Sequence, residues 1–111
     1  MLLTGTLLLQ ACGEADLPQR GVQVDDCLRD VNVQQIPQAI RRCDQVVAHF
    51  PRDPAPRNER ALLLSLNGQD QAACQESAAA LSLARQARPG TVDPLLSSEL
   101  TMRHQNCLAN R

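Results

Sequence analysis

The chain has 111 residues, enough for one domain, and a hydrophobic content of 43% supports one modest core. Only Phe50 is aromatic, so that core must be built from Leu, Val, Ile, Ala and Cys, which bury less area than rings do, and covalent staples are expected to supplement it. Eleven basic residues, all of them Arg, and twelve acidic ones are spread without runs to a net charge of −1, which argues against nucleic acid as a partner: that role needs a clustered basic face and, for single strands, stacking rings.

Residues 1–13 read MLLTGTLLLQACG, an apolar run of about eight residues that is too short for a bilayer span of roughly 20 but suits the core of a cleaved signal. Leu9-Gln10-Ala11-Cys12 resembles the bacterial lipobox, with an aliphatic residue at −3, a small one at −1 and a cysteine that becomes the lipidated mature N-terminus. The resemblance implies a signal peptide over 1–11, acyl chains on Cys12 and a lipid-anchored protein of the cell envelope, facing the periplasm or the exterior. Two or three acyl chains anchor stably where one does not. Residues 12–21 are short and polar with Pro18 and Gly21, and read as a tether to a helical domain over 22–111.

Helical signals start at Val22. Val24, Cys27, Leu28 and Val31 recur at i, i+3, i+4 and i+7, with Asp25 and Asp26 in the first turn, and predict a short helix stopped at Asn32. Pro37 suits the first turn of the next helix, whose stripe is Ile36, Ala39, Ile40, Cys43, Val47 and Phe50. After Phe50-Pro51, Asp53 is an N-cap and Pro54 a first helical residue. The run ALLLSL from Ala61 to Leu66 is apolar nearly all round, so this helix is expected to be covered on two sides and to centre the core. Leu62, Leu66, Ile40 and Leu81 are the residues expected inside.

Asn67-Gly68 provides a left-handed exit, and an alanine-rich helix follows from Gln69. Arg88-Pro89-Gly90-Thr91 is a loop, Asp93-Pro94 repeats the Asp53-Pro54 device, and a last helix carries Leu96, Leu100, Arg103 and Cys107 on one side. No strand-like alternation occurs. The expected fold is all-α, about five helices in antiparallel hairpins.

Ala39 and Ala73 stand 34 residues apart at equivalent places in two helices, the period of tetratricopeptide repeats. Together with Phe50, Pro51, Ala61, Leu64, Gly68 and Ala80, they resemble that family's pattern of small and large positions over Val24 to Gln86. The resemblance implies that Ala61 and Ala73 meet at a close hairpin crossing, that Leu64 fills the space beside them, and that Pro51 stops one repeat before the next. One and a half repeats fall short of the roughly three a solenoid needs, so a compact, repeat-like bundle is expected.

Of five cysteines, Cys12 is assigned to lipid, leaving Cys27, Cys43, Cys74 and Cys107. Residues equidistant from the turn of an antiparallel hairpin face each other. Cys27 and Cys43 are equidistant from Gln35, inside a helix break, and Cys74 and Cys107 are centred on Gly90-Thr91, inside a loop. Pairing Cys27 with Cys43 and Cys74 with Cys107 therefore staples two hairpins, each closure stabilising by roughly 3 to 4 kcal/mol, and calls for an oxidising compartment.

No C-x-x-C occurs, and His49 and His104 lack zinc-ligand spacing, so no metal site or other cofactor is expected. Asp25 with Asp26, and Asp53 with Glu59, are carboxylate pairs at helix starts, where the helix dipole already favours them, and no serine has a nucleophile-elbow context. No enzymatic activity is expected. The repeat-like domain instead offers a groove, for which Arg57, Asn58 and Arg60 are the candidate partner-binding residues, suited to a peptide's backbone and carboxylates. Two functions follow: a membrane-anchored interaction module for a protein or peptide partner in the envelope, or a small disulfide-stapled structural or inhibitory lipoprotein without a binding groove.

Overall fold

The computed structural model describes residues 21–110, and the lipidation site expected at Cys12 lies outside them. A 3-10 turn at Asp26–Leu28 precedes four helices, α1 (Ile36–His49), α2 (Pro54–Leu66), α3 (Asp70–Gln86) and α4 (Pro94–Ala109), and no strand occurs among the described residues. The all-helical expectation and both disulfides hold: Cys27–Cys43 and Cys74–Cys107 have Cα separations of 4.4 and 5.7 Å.

The helix expected over Val24 to Val31 is only the 3-10 turn, so the expected five helices become four. Local bonding explains the correction. The Asp26 carboxylate accepts the Gln23 N–H at 2.8 Å, Arg29 turns extended, and Asp30 adopts φ +53°, a left-handed conformation that stops a right-handed helix after one turn. A segment this short gains little from helix propagation, because nucleation is unfavourable.

The starts and stops of the other helices follow local chemistry. Asp53 and Asp93 each accept a backbone N–H two residues on, from Ala55 and Leu95, both at 2.9 Å, and a proline follows each cap where its missing donor is not needed. Helix α2 ends in a Schellman motif: Gly68, at φ +78°, donates to the Ser65 carbonyl at 3.0 Å, and Gln69 donates to Leu64 at 2.9 Å. Gln69 lies just outside α3, which begins at Asp70.

Each helix packs chiefly on its chain neighbours, α1 on α2, α2 on α3 and α3 on α4, while the 3-10 turn lies against α1 and α2. Ion pairs give the direction of packing. Asp44 and Arg60 are equidistant from Arg52, and Arg60 and Glu76 from Gly68, so α1–α2 and α2–α3 run antiparallel. Two apolar clusters result. One gathers Cys27, Ala39, Cys43, Val46 and Leu63 with Val22, Val31, Ile40, Val47 and Phe50 around it; the other gathers Ala80, Leu81 and Leu100 with Ala84 and Leu96.

Helix α2 is covered on two sides as expected, but by different leucines. Leu63 and Leu64 are buried, Leu62 is only partly so, and Leu66 is 59% exposed in the last turn. Leu81 is buried as expected, whereas Ile40 is half-buried and Val46 takes the central place on α1. In an all-round apolar run the phase is set by where the neighbouring helices lie, which helical periodicity leaves open. Ala61, Leu64 and Ala73 are all buried.

Candidate functional site

Arg57, Asn58 and Arg60 occupy the first half of α2, and the structure turns them towards neighbouring helices. Arg57 donates to Glu76 Oε1 at 2.9 Å, and Arg60 donates to Glu76 Oε2 at 2.7 Å and to Asp44 Oδ1 at 2.6 Å. Glu76, 9% exposed, thus holds two guanidinium groups, and Arg60 ties α1, α2 and α3 together. Burial alone would disfavour the Arg60 charge, but Asp44 and Glu76 outweigh that effect and raise its pKa. Asn58 is buried beside them. Arg57 and Arg60 act first as a clamp between helices, because removing one partner of a largely buried ionic cluster strands the rest.

Sequence reasoning missed Glu76, although the signal was available: the rule that paired the cysteines about their turns also pairs Arg60 with residue 76 about Gly68. The carboxylates weighed as acid–base candidates are mostly taken up by structural contacts. Asp25 and Asp26 both accept from Arg29, at 2.8 and 3.1 Å, and Asp53 caps α2. Glu59 is the exception. Its Oε2 is buried without a hydrogen-bond partner among the described residues, and its pKa is pushed up to about 7 by burial and then by the charges of Asp25, Asp53 and Glu99.

Among the described residues, a concave feature of the surface lies elsewhere, where the beginning of α3 meets the end of α4. It is a groove of about 930 Å³. Gln71, Gln75 and Ser65 line one side, His104 and Asn106 the other, and the Cys74–Cys107 bond forms part of its wall. The bond is what joins these two helix ends, since the apolar contacts of α4, through Leu96 and Leu100, lie further towards its start. Four amide side chains, Gln71, Gln75, Asn106 and Asn110, stand in the lining beside Ala78 and Leu108, each with donors and an acceptor for a polar backbone. Among the described residues no cluster of three or more His, Cys, Asp or Glu could hold a metal ion, and no helix is long and apolar enough to cross a membrane.

No protein-family model, curated protein or solved structure matches the chain.

Proposed function

We propose that the protein is a membrane-anchored interaction module of the cell envelope that holds an extended segment of a protein partner, as an accessory or assembly factor. The observation that carries this reading is the groove between α3 and α4, whose glutamine and asparagine amides suit a peptide backbone. Anchoring rests on the lipobox-like Leu9-Gln10-Ala11-Cys12, and placement in an oxidising compartment is supported by the two disulfides. Tetratricopeptide-like packing is part of the proposal, supported by burial of Ala61, Leu64 and Ala73 where the resemblance puts small and filling residues. The proposed contact surface shifts from Arg57, Asn58 and Arg60 to the groove, because both arginines already have carboxylate partners.

Those ion pairs also favour the second reading, a small stapled lipoprotein with a structural or inhibitory role. Crosslinking in intact cells, detergent solubilisation and affinity capture separate the two. A stoichiometric partner whose crosslinks map to Gln71, Gln75 or Asn106, with an acyl mass on Cys12, is the expected result. A monomer that captures nothing removes the interaction module.

A further inference from the structure

We propose that Cys74–Cys107 is a thiol-exchange site: an external dithiol reduces it in the folded protein, and reduction loosens α4 from α3 while Cys27–Cys43 stays closed. The two bonds differ in access. Cys74 and Cys107 are only partly buried and both line the open groove. Cys27 and Cys43 have no exposed surface, are packed among Val46, Leu63 and Ala39, and lie 3.8 and 3.6 Å from the Pro56 carbonyl oxygen at the start of α2. Exchange requires a thiolate to reach a sulfur, so access selects the bond that reacts.

In the first step the reductant's thiolate forms a bond to Cys107 Sγ, the Cys74–Cys107 bond breaks, and its electron pair leaves on Cys74 Sγ. The direction follows from the helix ends. Cys107 is in the last turn of α4, where unpaired carbonyls disfavour a thiolate, whereas Cys74 is in the second turn of α3, away from that end. In the second step the other thiol of the reductant attacks the mixed disulfide and Cys107 leaves. The dithiol ends as its own disulfide, and its two protons end on Cys74 and Cys107. His104, one turn before Cys107, lines the same groove.

Loosening follows from how little else holds α4. Its one buried residue is Leu100, packed on Ala80 and Leu81, and its substantial packing is with α3 alone. Opening the bond frees a connection that spans 33 residues and leaves only that small cluster to keep α4 docked.

The test uses the oxidised full chain in native buffer with dithiothreitol as the probe, iodoacetamide quenching over time, and peptide mapping. Cys74 and Cys107 are expected to be alkylated on the order of 100-fold faster than Cys27 and Cys43, because the buried bond must wait for an opening of the structure. In the selectively reduced protein, amide hydrogen exchange in α4 is expected to rise about tenfold or more while α1 and α2 are unchanged. Equal alkylation rates, earlier labelling of Cys27 and Cys43, or unchanged exchange in α4 would each overturn the proposal. The double variant Cys74→Ser with Cys107→Ser should show the loosened α4 without reductant. If that variant does not fold, the time course on the unaltered chain decides.

Discussion

Each half of the molecule closes one helix with a disulfide, α1 to the 3-10 turn before it and α4 to α3, yet the halves are built differently. In the first half, α1 buries Ile36, Ala39, Cys43 and Val46, and the Cys27–Cys43 bond is the centre of an apolar cluster completed by Leu63. In the second half, α4 buries only Leu100, and the Cys74–Cys107 bond lies in the wall of a groove. Chain entropy alone ranks them the other way, since sequence separations of 16 and 33 correspond to about 3 and about 4 kcal/mol. One bond is thus part of a core, and the other substitutes for a core that α4 lacks.

Removing each bond breaks the comparison most directly. Cys27→Ser with Cys43→Ser should cost about 5 kcal/mol, because two hydroxyls are left in an apolar site in addition to the lost closure. Cys74→Ser with Cys107→Ser should cost about 3 to 4 kcal/mol, since serines at the groove remain hydrated. Urea unfolding of the two variants measures both; a larger loss for the second pair would mean that loop length, and not burial, ranks the staples.

The next effect sharpens the role of the first cluster. Leu63→Ala should destabilise by about 2 to 5 kcal/mol, whereas Leu66→Ala, three residues on but exposed, should stay within about 0.5 kcal/mol. Thermal melts that place the two variants together would show that α2 is rotated from its described position.

The smallest effect tests the meeting of the halves. Glu59 on α2 feels Asp25 and Asp53 from the first half and Glu99 from α4. Because its folded pKa of about 7 lies above the ordinary 4.5, the unfolded chain ionises first, so the contribution of Glu59 to stability is most favourable below 4.5, falls as pH rises to about 7, and is level above that. Discounted for its partial exposure to solvent, the penalty at pH 8 is about 1 to 2 kcal/mol. Glu59→Gln should recover that amount at pH 8 and almost nothing at pH 4. A gain that is the same at both pH values would show that the side chain titrates normally.

Signals confined to a few adjacent residues were legible. The caps at Asp53-Pro54 and Asp93-Pro94 and the exit at Asn67-Gly68 are each satisfied by bonds within five residues, so no distant contact could alter them. The pairing of Cys74 with Cys107 was also legible, because equal distance from a turn is a property of chain order once the α3–α4 hairpin is granted; Cys27 pairs with Cys43 as expected, although its arm is a 3-10 turn and not a helix. The same rule extended to charge would have found Arg60 with Asp44 and with Glu76. Arg57 and Arg60 were read as partner contacts only because a helix in isolation shows arginines on its surface and nothing of what lies across from them.

Chain order by itself determined the helical class, the helix boundaries from α1 onward and the two staples, because capping, periodicity and hairpin symmetry are local or nearly so. Tertiary structure alone decided two things. It chose Leu63 over Leu62 and Leu66, because the phase of an all-apolar helix depends on its neighbours. And it left one disulfide sealed and the other open, because burial is a property of the surroundings of a bond and not of the residues that form it.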